Sequence, residues 1–424
     1  MAFPALWLYT FILLVAPQSL IPPLAVVRPA LVVGAIAIAL HLGERGRRHR
    51  APLPRGLALA GGILAWSVVT LPVSYWPGGS VTFLTGLYVK TLALFWLVCE
   101  VVDTRARLRR LVWALALMGA VPAAVTLSNY VGGTLRGERV LGYETALGSN
   151  PNDVALLLTM LLPLALALFA LERRPALRAL LAAVAALDAA AVIVTFSRGG
   201  FLALLVALAL ALAVGRTRLA TPGRGRSALV GGLLLVAAIG LPGGYLAHMA
   251  TIGDMDADPT GSAQARWTDM RAAAGYIVSH PVIGSGIGND FLALNEARGA
   301  LWKSVHNVYL QYGVELGLPG LALFVALLVE GLRAAGDARR RAAAVGDHEL
   351  AVLARAVWIS LVTFAVAGVF STAGYHFPFY YLAGLAIAAR AITAGAPRPV
   401  PVPAPAPVAA AMPALAGGAG WWRR

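Results

Sequence analysis

The 424 residues are 59% hydrophobic and only 12% charged, with a mean hydropathy of +0.76, far from the soluble average. This excludes a soluble enzyme and makes the chain a polytopic membrane protein, with room for about a dozen spans of roughly 20 residues and no separate soluble domain. A net charge of +15 would suggest nucleic acid in a soluble protein, but in a membrane protein it points first to basic cytoplasmic loops. The single Cys99 excludes both an intramolecular disulfide and a cysteine metal cluster.

In chain order, apolar windows predict helices near residues 4–21, 24–42, 56–72, 80–102, 108–130, 153–171, 177–196, 200–214, 228–247, 308–332, 351–370 and 378–394. The start Met-Ala-Phe-Pro lacks a basic n-region, so the first window reads as a retained helix rather than a cleaved signal peptide. With a cytoplasmic amino terminus, the cytoplasmic loops hold five arginine clusters: Arg45 to Arg55, Arg105 to Arg110, Arg173 to Arg178, Arg216 to Arg226, and Arg333 to Arg341. The other side, although longer, holds only Arg28, Arg136, Arg139, Arg198, Arg266, Arg271, Arg298 and Lys303. This asymmetry places the loop 248–305 outside the cytoplasm. It also explains the basic residues as topology signals rather than as a nucleic-acid surface. The expected organisation is a transmembrane domain over 1–395 and a Pro-rich, disordered cytoplasmic tail over 396–424.

The longest polar interruption runs from His248 to Gly320. It carries Arg266, then Ser279-His-Pro-Val-Ile-Gly284-Ser-Gly286-Ile-Gly288-Asn-Asp-Phe291, whose glycines suit a tight backbone turn. It ends in His306-Asn-Val-Tyr309-Leu-Gln-Tyr-Gly-Val-Glu315-Leu-Gly-Leu-Pro-Gly320. Asn307, Tyr309, Tyr312 and Glu315 put polar groups at the membrane surface, where apolar ones would be cheaper. In a regular helix, His306 and Glu315 would be about two and a half turns apart, too far for a contacting dyad. No His-x-x-x-His spacing suggests a metal site.

On the same side, Ser197-Arg198-Gly199-Gly200 interrupts two long apolar runs. Arg198 either faces a cavity or partner or snorkels to the interface; the flanking Ser and Gly-Gly, which open the backbone to a ligand, favour function. Asn150-Pro-Asn152-Asp153 is in its own right a turn followed by an N-cap, with Arg139 upstream as a candidate phosphate or sugar contact.

Taken together, the arginine followed fourteen residues later by His-Pro, the Gly-x-Gly-x-Gly-x-x-Phe turn, and His-Asn-x-x-Leu with a downstream Glu-x-Gly-x-x-Gly resemble the O-antigen ligase and polymerase superfamily. Ser-Arg-Gly at 197–199 and Gly148-Ser-Asn150-Pro-Asn152 also look like family elements. The resemblance covers roughly residues 130–330. It departs at Met270, where relatives often carry Trp, although Trp267 is close by.

The resemblance implies an all-α polytopic membrane protein of about twelve helices, with one large extracytoplasmic loop and a fold of the membrane glycosyltransferase (GT-C-like) type. It implies metal-independent, inverting transfer of a glycan from an undecaprenyl-diphosphate carrier at the periplasmic side of the bacterial inner membrane, with no cofactor. Arginine forks suit a diphosphate leaving group, and a histidine suits the proton of an attacking hydroxyl. His306, Arg266 and Arg198 are therefore the expected catalytic residues, and Arg139, Asn307, Glu315 and Tyr309 the expected substrate contacts. The expected partners are the lipid-linked donor, a lipid A-core or other glycan acceptor, and membrane lipid. Three functions stay open: ligation to lipid A-core; polymerisation of repeat units or transfer to protein hydroxyls; and lipid or solute transport with Arg198 and Lys90 along the path.

Overall fold

A computed structural model describes residues 1–21, 23–45, 53–136, 139–140, 150–215, 262–299 and 301–395. The predicted helix at 228–247, the first part of the 248–305 loop, and the tail at 396–424 lie outside the described residues. The helices are α1 Ala2–Val15, α2 Pro29–Arg45, α3 Arg55–Thr70, α4 Pro77–Phe83, α5 Val89–Val101, α6 Arg105–Val131 and α7 Pro151–Leu171. They continue as α8 Pro175–Val194, α9 Arg198–Gly215, α10 Ser262–Ser279, α11 Asp290–Arg298, α12 Val308–Ala344, α13 His348–Ala367 and α14 Phe377–Ala394. Among the described residues, eight helices are long and apolar enough to cross a membrane, and Ala2–Val15, Pro29–Glu44 and Arg198–Ala213 are shorter apolar helices.

Three departures from the predicted windows have local causes. The window 4–21 ends at Val15, because Ala16 turns left-handed (φ 42°) and Pro17 starts a separate turn. The window 80–102 begins earlier, at Pro77, and contains a π-helical turn at Leu84–Tyr88. The polar loop contains two helices, α10 and α11, which its low hydropathy did not announce.

Burial grades the bundle. The window through α7 is 83% buried and that through α3 only 28%, so α7 runs through the protein while α3 presents most of its surface outward. The centre is aromatic: Tyr312, Phe324, Phe364, Tyr375, Phe379 and Tyr380 are fully buried. The hydroxyls of Tyr88, Tyr380 and Tyr312 form a chain with steps of 2.9 Å, so the phenols are satisfied inside the apolar interior.

At one end of the bundle the cluster Arg105 to Arg110 meets acids at the start of α13, Arg105 with Asp347 (3.1 Å) and Arg109 with Glu349 (3.3 Å), and Arg390 of α14 pairs with Glu330 of α12. The Met1 amine pairs with Glu44, and the Arg107 guanidinium lies over the Phe3 ring at this same end. Elsewhere Ser197 bonds to Asn152, and Asp290 and Asp269 lie by the segment that carries His306.

α12 is broken where the glycine-rich segment meets it. Pro319 has no N–H to give Glu315, and Gly317 is left-handed (φ 66°), so the helical ladder fails there. Bare carbonyls in an apolar setting would cost about 1–3 kcal/mol each. The glycine-rich segment supplies the missing donors: Ser285 N donates to Val314 O (2.8 Å) and Gly286 N to Glu315 O (2.9 Å). Leu318 N donates to Pro281 O (2.8 Å), and Trp66 Nε1 to Leu316 O (2.8 Å). A Cβ on Gly284 would lie 2.2 Å from Val314 O, and one on Gly317 would lie 2.3 Å from Val282 O. Gly284 and Gly317 are therefore fixed by backbone meeting backbone, while Gly286 and Gly288 sit against the Ser74 and Phe83 side chains.

Candidate functional site

Arg198 stands at the first position of α9 and is only 7% exposed. The preceding Ser197 is the N-cap: its Oγ accepts from Gly200 N (3.1 Å) and donates to Asn152 Oδ1 (2.8 Å). Asn152 lies in the first turn of α7, whose own cap is Asn150, with Oδ1 accepting from Asn152 N (3.0 Å). The next residue, Asp153, accepts from Ser371 Oγ (2.7 Å). The Asn-Pro-Asn-Asp stretch is thus a cap whose side chains also clasp two other loops.

Gly199 and Gly200 are not gaps awaiting a ligand. A Cβ on Gly199 would be 2.4 Å from Phe370, and one on Gly200 would be 2.5 Å from Ala155. Phe370 ends the 3-10 turn Gly368–Phe370, and Gly368 in that turn faces Val308 and Tyr309 at the start of α12. The Arg198 turn and the His306 strand therefore approach the same short turn.

His306 lies just before α12, not within it. Asn307 is the N-cap, its Oδ1 accepting from Tyr309 N (3.0 Å) and Leu310 N (3.1 Å). Val305 is buried in a small apolar cluster with Ala273, Tyr276, Ala293, Leu294 and Val314, which ties α10 and α11 to the outer turns of α12. His306 remains half-buried above this cluster. Burial pushes its imidazole below the ordinary 6.5, and the Arg266 guanidinium pushes it further; Asp269 and the Ser304 carbonyl oppose both. Arg266 and Asp269 are one turn apart on α10, so that face of the helix confronts His306.

The segment before His306 is strapped to α11. Trp302 N donates to Asn295 Oδ1 (3.1 Å), and Arg298 reaches the Lys303 carbonyl. Ser304 Oγ donates to Asp290 Oδ1 (3.0 Å) and Val305 N to Asp290 Oδ2 (2.8 Å). Arg298 also pairs with Asp269, which joins this segment to the helix of Arg266. Trp302 (φ 51°), four residues before His306, and Phe196 (φ 51°), two before Arg198, are non-glycine residues held at positive φ.

The structure therefore brings Arg266 and His306 together and sets Arg198 at the same end of the bundle. It gives other expected contacts inward partners. Tyr309 donates its hydroxyl to Ala365 O (2.7 Å). Glu315 is fully buried, taking Gln311 Nε2 (3.4 Å) and lying against Tyr375 and Asp290. Arg139 pairs through its backbone with Arg136 in a two-residue antiparallel ladder; its side chain lies outside the described part. The sequence reading gave Asn152 and Arg298 no side-chain role in the site and did not single out Asp269 or Asp290. Asp290 stood inside the glycine-rich stretch, and no spacing rule links it to residues fourteen and fifteen positions on.

Comparison with known proteins adds one match and one negative. Residues 181–325 match the O-antigen ligase family model. This stretch includes Arg198, Arg266, Asp290, His306 and Glu315. No curated protein matches the chain.

Proposed function

We propose, from the premise of an O-antigen ligase domain over 181–325, that the chain is a membrane glycosyltransferase taking its glycan from an undecaprenyl-diphosphate carrier. The acceptor is a hydroxyl of lipid A-core, and the reaction takes place at the periplasmic face of the bacterial inner membrane. The observation that carries the reading is that the half-buried His306 faces the α10 turn of Arg266 and Asp269, with burial first and the Arg266 guanidinium second holding its imidazole below the ordinary 6.5.

In this reading the acceptor oxygen attacks the anomeric carbon of the donor while His306 takes the hydroxyl proton. The bond from that carbon to the diphosphate oxygen breaks, and its electron pair leaves on undecaprenyl diphosphate. Arg266 and Arg198 neutralise the departing charge through bidentate, charge-assisted hydrogen bonds, so a divalent metal is not required. Inversion at carbon follows from a single displacement. Asn307, Tyr309 and Glu315 support the site from below rather than touching the glycan, since their polar atoms serve caps, a carbonyl and the buried interior.

The test is product formation by the purified protein in detergent with EDTA, lipid-diphosphate glycan and lipid A-core. Glycan joined to lipid A-core supports the proposal. Elongation of the donor alone would move the assignment to polymerisation, and loss of activity with EDTA would overturn metal independence. No transfer to any acceptor, with vectorial movement of the donor in proteoliposomes, would replace the enzyme by a transporter.

A further inference from the structure

Asp290 has chemistry that the proposed reaction does not use. It is 1% exposed, and both carboxylate oxygens accept hydrogen bonds from the two residues immediately before His306: Ser304 Oγ and Val305 N. A carboxylate is costly to bury; an amide or a hydroxyl would fill the same space at lower cost if packing were the only need. Each oxygen takes one bond from this segment, a side-chain hydroxyl and a backbone amide, and the Phe291 amide and the Arg298 charge add to them from α11 itself. The segment contains a strained residue, Trp302 (φ 51°), and its other ties, to Asn295 and Arg298, come from the same helix α11. Arg298 continues the connection to Asp269, one turn from Arg266.

We propose that Asp290 is a positioning residue: its carboxylate fixes the Ser304–Val305 backbone so that the His306 imidazole is held opposite Arg266 at the reacting centre. This rests on the reading of His306 as the base. Asp290 itself touches neither glycan nor diphosphate. α11 is accordingly a rigid ruler, with Asp290 setting the histidine at one end and Arg298 setting the arginine helix at the other. A displacement near 1 Å at such a site can cost about 100-fold in rate.

The experiment is a cycle of Asp290→Asn and His306→Ala, singly and together, in the transfer assay with lipid-diphosphate glycan and lipid A-core. Asparagine keeps an acceptor oxygen for Val305 N, while its amino group reverses the Ser304 bond, so two charge-assisted bonds become two weaker neutral ones. The expected result is a fall in kcat of about 10- to 100-fold for Asp290→Asn with the donor KM unchanged, and no further fall when the change is made in the His306→Ala protein. An equal fall in both backgrounds would overturn the proposal, because a residue acting through His306 has nothing left to position once the imidazole is gone. Unchanged kcat for Asp290→Asn would overturn it as well. Should Asp290→Asn not fold, Ser304→Ala removes only the hydroxyl bond. A several-fold loss of kcat, again absent in the His306→Ala background, is then expected, and additivity would again refute the role. If His306→Ala alone leaves the rate intact, it is the base reading that fails, and the positioning role falls with it.

Discussion

At the scale of single residues, the account turns on what Arg266 does to His306. Two effects are separable, because a guanidinium both carries charge and offers a planar fork. Burial and the Arg266 charge each disfavour the imidazolium, so the His306 value sits below 6.5. Transfer should therefore rise with pH through a midpoint below 6.5 and stay level at neutral pH. Removing the charge takes away a lowering influence, so Arg266→Gln should move this acid limb to higher pH. Arg266→Lys should leave the limb in place while reducing the rate at least about tenfold, since an ammonium cannot bind phosphate oxygens bidentately. The measurement is a pH–rate profile of the three proteins; a limb that moves equally in both variants would contradict the assignment. His306 and Arg266 were singled out in the sequence by the spacing of the motifs that resemble the O-antigen ligase superfamily. Asp290 was not, because its partners lie fourteen and fifteen positions on and only the folded α11 brings them together.

At the scale of elements, the two glycine motifs are halves of one joint. The sequence announced turn-forming glycines and a proline in a helix, but neither signal tells that the orphaned carbonyls of 314 and 315 are met by amides of 285 and 286. The pairing is what seats α10 and α11 against α12 and so frames the Arg266–His306 face. Gly284→Ala would drive a methyl to 2.2 Å from Val314 O, and Gly317→Ala would add a Cβ at φ 66°. Both should destabilise the protein by more than about 1 kcal/mol, read as a fall in the thermal midpoint in detergent. Gly61→Ala on α3, where a Cβ meets nothing within 4 Å, should change little. Equal midpoints for all three would deny the joint its role. Hydropathy read most helix positions well, since a membrane span is written in long apolar runs. It failed at Ala16, at the π-helical turn and at α10 and α11, where local dihedrals or tertiary contacts decide.

For the whole molecule, the arginine asymmetry of the sequence predicts that the end carrying Arg266 and His306 faces away from the cytoplasm. Sidedness can be read directly. In a Cys99→Ala background, a cysteine at the exposed Gln264 should react with an impermeant maleimide from outside the cytoplasm, and one at the exposed Ala344 only from within. The reverse pattern would invert the topology and remove the periplasmic site.

Whether this end of the bundle transfers glycan with His306 as the base is decided by comparing two proteins. The purified protein and its His306→Ala variant are given lipid-diphosphate glycan and lipid A-core in EDTA, and initial rates are taken beside donor binding. The expected result is a rate lower by about 10²–10⁴-fold in the variant, with donor affinity nearly unchanged because the arginines carry it. Equal rates for the two proteins would contradict the account.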